Sequence, residues 1–241
     1  VIHVANDLEL YERHADEWWD PSSPVFRSLR ATKALHIEIL DELIEQELGG
    51  RAPFAVDLGC GGGLLAVPIS RHTDHMVGID RSGASVAAAN REARRTGASC
   101  HFVRGDVADV PLASGIADLV VLSDVVEHVP DPERVVREAA RLLRPGGIVF
   151  VNTLARTLRA HLLAVTFAEG VGLVPRGTHD PKMFVLPEDL IRMADGAGLE
   201  LVRLEGEAPM IRRTLRTWAI HLRRSSNVAV SYNATFRRRA D

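Results

Sequence analysis

Val56-Asp57-Leu58-Gly59-Cys60-Gly61-Gly62-Gly63 is a short apolar run that ends in an acid and then breaks into glycines, before Leu64-Leu65-Ala66-Val67 resumes. The pattern predicts a buried strand, a tight turn and the start of a helix. Gly59, Gly61 and Gly63 carry no Cβ, so the turn can take left-handed dihedrals and a ligand can lie directly on the backbone. A dinucleotide-binding turn needs G-x-G-x-x-G, and its last glycine position is filled here by Leu64. What stands in the chain is D-x-G-x-G-x-G.

Apolar runs ending in acids repeat on both sides of this turn. His75-Met76-Val77-Gly78-Ile79-Asp80 predicts a second strand, and its acid, about 20 residues after the first glycine, suits a ribose diol. A helix over Ala84 to Thr96 follows, then a third strand, Cys100 to Arg104, ending in Gly105-Asp106. Asp118 to Ser123 reads as a strand buried on both faces. A helix begins at Pro130-Asp131-Pro132 and stops at Arg144-Pro145-Gly146-Gly147, and Ile148 to Asn152 is the fifth strand. This alternation predicts a doubly wound parallel sheet with its site at the carboxyl ends of the strands.

Two helices are expected before the core, Asp7 to Trp19 and Leu29 to Leu48, where they could cover its mouth. Adjacent Trp18 and Trp19 cannot both face one core, so one is expected at the rim, as a lid or a partly buried helix end. From Thr153 to Met183 the rhythm breaks into an apolar, poorly patterned segment and a polar loop. A helix from Leu186, a strand over Leu199 to Leu204 and an antiparallel strand over Val228 to Phe236 end the chain. The expected organisation is a helical cap (1–50), a cofactor-binding core (51–154), a substrate or membrane insertion (155–184) and the remainder of the core fold (185–241).

Composition is that of a globular protein, 46% hydrophobic and 25% charged, without an apolar run long enough to span a membrane. Val1-Ile2-His3 shows no basic segment of a leader, and Cys60 and Cys100 are too few for a disulfide framework or a zinc motif. A cytoplasmic protein is expected, with membrane association as a peripheral option. The net charge of −3 hides an asymmetry: acids crowd the first 50 residues, whereas Arg212, Arg213, Arg216, Arg223, Arg224, Arg237, Arg238 and Arg239 mark the end. Such an end could meet nucleic acid or anionic lipid; a solvated arginine-rich surface is the simpler account, and no nucleic-acid partner is expected.

Asp57-Leu58-Gly59-Cys60-Gly61-Gly62-Gly63 resembles motif I of the class I methyltransferases that use S-adenosylmethionine (SAM). SAM brings an α-amino group and a carboxylate rather than a pyrophosphate, and Asp57 suits the ammonium. Together with Glu17-Trp18-Trp19-Asp20, Val126-Glu127-His128-Val129-Pro130-Asp131-Pro132, Arg144-Pro145-Gly146-Gly147 and Gly177-Thr178-His179-Asp180, the chain resembles one family. That family is the ubiquinone-biosynthesis O-methyltransferases, which methylate polyprenyl-dihydroxybenzoates and demethylubiquinol.

The resemblance implies a Rossmann-like, mostly parallel seven-stranded α/β fold with helices on both faces. It implies that Gly59 and Gly61 lie against SAM, Asp80 with neighbouring Arg81 binds its ribose, Asp106 and Val107 sit at adenine, and Ser123 lines the methionine end. The family's basic residue for the SAM carboxylate falls near Arg30-Ala31-Thr32-Lys33-Ala34-Leu35-His36, leaving Arg30, Lys33 and His36 open.

If the chain turns helical after the fourth strand, Asp124, Glu127 and His128 share a face at i, i+3 and i+4. Such a set either binds a divalent cation or supplies a general base, and a solvent-facing helix-start cluster is the plain alternative. Similar family members carry Glu-x-x-Glu-His, taken to bind magnesium or zinc. The expected reaction is methyl transfer to a phenolic hydroxyl of a small aromatic acceptor. His128 acts as base, Glu127 and Asp124 orient it or hold a cation, and His179 and Asp180 are second-rank candidates. The insertion's apolar residues and arginines would touch an anionic membrane or close over a soluble acceptor. Two rivals are methylation of another metabolite at O, N or C, and a silent SAM-binding scaffold.

Overall fold

A computed structural model describes residues 8–240. Asp7, the expected start of the first helix, and Val1-Ile2-His3 lie outside the described residues. In chain order the elements are α1 (Glu9–Arg13), α2 (Arg27–Leu48), β1 (Phe54–Leu58), α3 (Ala66–Ile69), β2 (His75–Asp80), α4 (Gly83–Thr96), β3 (Cys100–Arg104), β4 (Ala117–Ser123), α5 (Pro132–Leu142), β5 (Leu143–Leu154), α6 (Leu158–Ala160), α7 (Pro187–Gly196), β6 (Leu199–Pro209), α8 (Ile211–Thr217), β7 (Leu222–Ser225) and β8 (Ser231–Arg238). α6 runs directly into a π-helix, His161–Glu169.

The strands form one sheet in the order β3-β2-β1-β4-β5-β8-β6-β7. β1 to β5 are mutually parallel, whereas β8, β6 and β7 pair antiparallel with their neighbours. The expected seven strands are therefore joined by an eighth, β7, on the edge of β6. β6 extends to Pro209, past the expected Leu204, because Gly206 to Pro209 find their partners in β7. Strand order reverses between β1 and β4, and the crevice at that point is where open α/β sheets bind ligands.

Period-two alternation divides the core between the two faces of the sheet. Val56, Leu58, Val120 and Leu122 pack with α5 and α7, whereas Ala55, Leu119 and Val121 pack with α2 and α4. α5 starts on a good cap, since the Asp131 side chain accepts from Arg134 N at 2.9 Å and Pro132 stands at the first turn.

The first expected helix is broken. α1 ends at Arg13 and a 3₁₀ turn, Ala15–Glu17, leads to the tryptophans. Trp18 is buried, stacks on Phe26 with centroids 4.0 Å apart, and donates Nε1 to Ser85 Oγ at 3.0 Å. Trp19 is half-buried and donates its Nε1 to the Gly62 carbonyl at 2.8 Å. Both rings thus hold the N-terminal cap on the core, one by packing and one by a hydrogen bond to the glycine turn.

The turn leaves no room for side chains. Gly59 has φ of 75°, and a Cβ there would meet Val125 Cγ2 at 2.4 Å. At Gly62 a Cβ would lie 2.2 Å from Trp18 Cγ. Gly59→Ala should destabilise the fold by about 1–3 kcal/mol in urea unfolding, from left-handed strain and the Val125 clash together. A loss below about 0.5 kcal/mol, the scatter of ordinary surface changes, would refute this account of the turn.

Candidate active site

The turn after β1 is tied to the end of β2. Gly59 N and Cys60 N donate to Ile79 O at 2.7 and 3.1 Å, and Gly61 N donates to Asp80 Oδ2 at 2.8 Å. Asp80 Oδ1 accepts from Ser82 N at 2.8 Å. Burial raises the Asp80 pKa despite these bonds. Above the turn lies a cavity of about 810 Å³ whose lining includes Asp57, Gly59, Gly61, Asp80, Arg81, Asp106, Val107, Ser123, Asp124 and His128. All eight expected cofactor residues therefore reach one space. Asp106, at its mouth, is exposed and accepts from Ala108 N at 2.9 Å.

Of the three basic residues left open, Arg30, Lys33 and His36, one reaches the cavity. Arg30 bonds the carbonyls of Glu17, Trp18 and Ser23 at 3.0 to 3.3 Å, so it braces the cap. His36 is buried with Nε2 2.8 Å from Glu207 Oε1. Lys33 is the one of the three that lines the cavity. It is buried and donates to Ser123 Oγ at 2.7 Å and to Asp124 Oδ2 at 2.6 Å. Burial pushes the Asp124 carboxyl up, but the Lys33 charge and hydrogen bond together with His36 and His128 outweigh it and hold the group below the usual range. Asp57, also buried, is raised to about 7 by desolvation that Lys33 only partly offsets.

The expected three-residue cluster does not form. Asp124 is left-handed, with φ of 57°, and the following residues make a 3₁₀ turn, Val126–His128, so i, i+3 and i+4 share no helical face. Asp124 turns to Lys33. Glu127 turns into the protein, where Thr153 Oγ1 donates to its Oε2 at 2.8 Å while Oε1 is buried without a hydrogen-bond partner. Desolvation, with the Asp124 charge adding to it, raises Glu127 to about 8 and keeps it neutral. Among the described residues no group of three His, Cys, Asp or Glu side chains is arranged to hold a metal. The described geometry lends no support to the magnesium or zinc set Asp124, Glu127 and His128.

His128 does face the cavity. Burial, reinforced by His179, lowers its pKa to about 4, so the ring is neutral at ordinary pH. The two imidazoles lie 5.8 Å apart, inclined by 23°. His179 is held by a residue absent from the sequence reading, Glu169 at the end of the π-helix. One buried carboxylate accepts from Gly177 N at 2.8 Å and His179 N at 3.1 Å, and its Oε1 lies 3.0 Å from His179 Nδ1. The Gly177-Thr178-His179 loop is thus folded around Glu169. A second cavity of about 720 Å³ lies on the far side of His179, bounded by Arg156, His161, Val165, Arg176 and Lys182.

Residues 56–151 match the methyltransferase domain family. The chain is 36% identical to the ubiquinone biosynthesis O-methyltransferase of Methylococcus capsulatus, over 99% of this chain and 97% of that one. It is 38% identical to the Thiobacillus denitrificans protein of the same name, over 84% and 86%. The chain belongs to the ubiquinone biosynthesis O-methyltransferase family. It is a SAM-dependent methyltransferase, and solved structures share its fold. A SAM-dependent methyltransferase of Thermotoga maritima superposes with a TM-score of 0.67 at 18% identity, over 95% and 99% of the two chains. Magnesium protoporphyrin IX methyltransferase of Synechocystis PCC 6803, solved with bound SAH, gives 0.60 at 17%, over 87% and 86%. The site fits such a cofactor on its own chemistry: a side-chain-free glycine floor, a buried ammonium at one end and acids along the wall.

Glu127 supplies a pH test. An acid whose pKa is raised on folding from 4.5 to about 8 loses stability for the fold as pH climbs through that window, because the unfolded chain releases the proton and the folded one keeps it. Asp57 acts in the same sense over a narrower range. Glu127→Gln, an isostere of the neutral acid, should flatten the decline measured by urea unfolding across pH 4.5 to about 8. A slope equal to that of the parent protein would show that Glu127 is not held neutral.

Proposed function

We propose that this O-methyltransferase methylates a catechol-type hydroxyl of a quinone precursor. What carries the reading is a neutral histidine, His128, between the glycine-floored cavity and the space beyond His179. The names of the relatives support the acceptor class.

When bound, SAM supplies an electrophilic methyl group. Lys33 is the residue for its carboxylate, Asp57 for its ammonium and Asp80 for its ribose; Asp106 and Val107 border the adenine end. A phenolic hydroxyl has a pKa of roughly 10, so at neutral pH its proton must be taken as the oxygen attacks. His128 is neutral and able to accept it. His179, oriented by Glu169, packs against His128 and fixes its plane. No step is routed through a cation.

Product mass spectrometry with SAM and a panel of catechols, prenylated ones included, tests the function; no methylated phenol from any of them would refute it. His128→Ala should lower turnover by about 100- to 10,000-fold while calorimetry shows SAM affinity retained. Lys33→Met and Asp80→Ala should do the reverse and weaken SAM binding itself. Near-normal turnover in the first, or unchanged affinity in the other two, would remove the assigned roles.

Membrane contact through the insertion belongs to the same reading. Leu158, Leu162, Leu163 and Phe167 are exposed on α6 and the π-helix, and Arg159 beside them is exposed too. Such a surface suits an acceptor dissolved in a bilayer. No helix of the described residues is long and apolar enough to cross a membrane, so the contact is peripheral. Co-sedimentation with anionic vesicles at low salt reads it out, and no binding would leave the insertion as a lid.

A further inference from the structure

The arginines near the end of the chain sort into two groups. Arg203 and Arg224 pair with Glu42, Arg237 with Glu47 and Arg239 with Asp195, tying the sheet to α2 and α7. Arg212, Arg213 and Arg216 are exposed on α8 and make no ion pair among the described residues. No Asp or Glu stands between Glu207 and Asp241 to neutralise them. Their field reaches His221, whose pKa is lowered by burial and then by Arg213 and Arg216.

The same helix exposes apolar side chains. Ile211, Leu215 and Trp218 recur at four and three residues, hence along one stripe, and are 59%, 59% and 45% exposed. Trp218 ends the helix in a left-handed conformation, φ of 52°. Large apolar side chains in a row beside unpaired arginines need an occupant that is apolar and anionic at once. A second copy packed on a two-fold axis would set arginine against arginine. A nucleic-acid backbone would answer the charges and leave the stripe in water. An anionic bilayer answers both, with guanidinium groups at the phosphates and an indole at headgroup depth. α8 also adjoins the insertion: buried Ser28 donates to Leu173 O at 2.5 Å and accepts from Ile220 N at 3.1 Å, so the end of the insertion and the segment after α8 meet on one hydroxyl.

We propose that α8 with Trp218 is a second interfacial element, which together with the insertion seats this enzyme on an anionic lipid surface. The proposal rests on the membrane reading above and adds a separate anchor to it. The protein has three tryptophans; Trp18 is buried and Trp19 half-buried against Gly62, so Trp218 is the one placed to report lipid contact.

The test uses the full chain with phosphatidylcholine vesicles containing phosphatidylglycerol and brominated acyl chains. Expected are quenching of tryptophan emission on binding, loss of most of it in Trp218→Phe, and weaker binding as salt is raised. Ile211→Ser combined with Leu215→Ser should lower vesicle partition about tenfold and leave SAM affinity unchanged. Vesicle binding with equal quenching in the parent and Trp218→Phe would overturn the role of α8 and leave the insertion as the sole contact. Absence of vesicle binding would overturn both. Self-association in solution, abolished by the double substitution and without vesicle binding, would assign the stripe to a second copy instead. Should the double variant fail to fold, the Trp218→Phe comparison decides alone.

Discussion

The structure depends on a loop that has no space for a side chain at Gly59, Gly61 or Gly62. Gly59 lies under Val125 and Gly61 and Gly62 lie under Trp18, with a Cβ at any of them falling 2.2 to 2.6 Å from a neighbouring carbon. Because the loop is bare, β1 and the segment after β4 can approach at the point where strand order reverses, and the N-terminal cap can lay an indole on the backbone. The cofactor cavity is what remains between these contacts. Its floor is peptide, and its walls carry the charges.

Those charges are arranged economically. The Lys33 ammonium joins Ser123 and Asp124 and stabilises the ionised form of one nearby carboxylate, while Asp57 and Glu127 are pushed toward neutrality by burial. From Ser123 the polar contacts continue to His36 Nδ1 at 3.3 Å, then to Glu207, and from Glu207 to Ser231 at 2.6 Å and Asn233 at 2.9 Å. This seam crosses the sheet from β4 to β8 and β6. A low local dielectric makes each of its members expensive to leave unpaired, so the position of Lys33 at the cavity is held from residues far from the cavity.

The insertion performs two tasks with one helix. Its outer side shows Leu162, Leu163 and Phe167 to solvent, while Glu169 at its end holds His179 beside His128. What touches the outer side of this segment is thereby linked, through a single carboxylate, to the imidazole pair.

The alternation of strands and helices, the glycine turn and the acids at the strand ends were legible from residue pattern alone, because parallel strands buried on both faces are written as apolar runs and left-handed turns as glycines. Asp57, Asp80, Asp106 and Ser123 could be placed at one edge for the same reason. Four matters depended on the folded chain. That Lys33 rather than Arg30 or His36 lines the cavity turns on side-chain direction from one helix, which spacing along the chain does not resolve. The dispersal of Asp124, Glu127 and His128 follows from one left-handed residue, Asp124, at a position where a helix also fits the spacing. Glu169 meets His179 ten residues later across a loop, and Ile211, Leu215 and Trp218 lie exposed because no element packs over them. Spacing along the chain determines which residues share an element; only tertiary packing decides which charges are neutralised and which apolar faces are left for a partner.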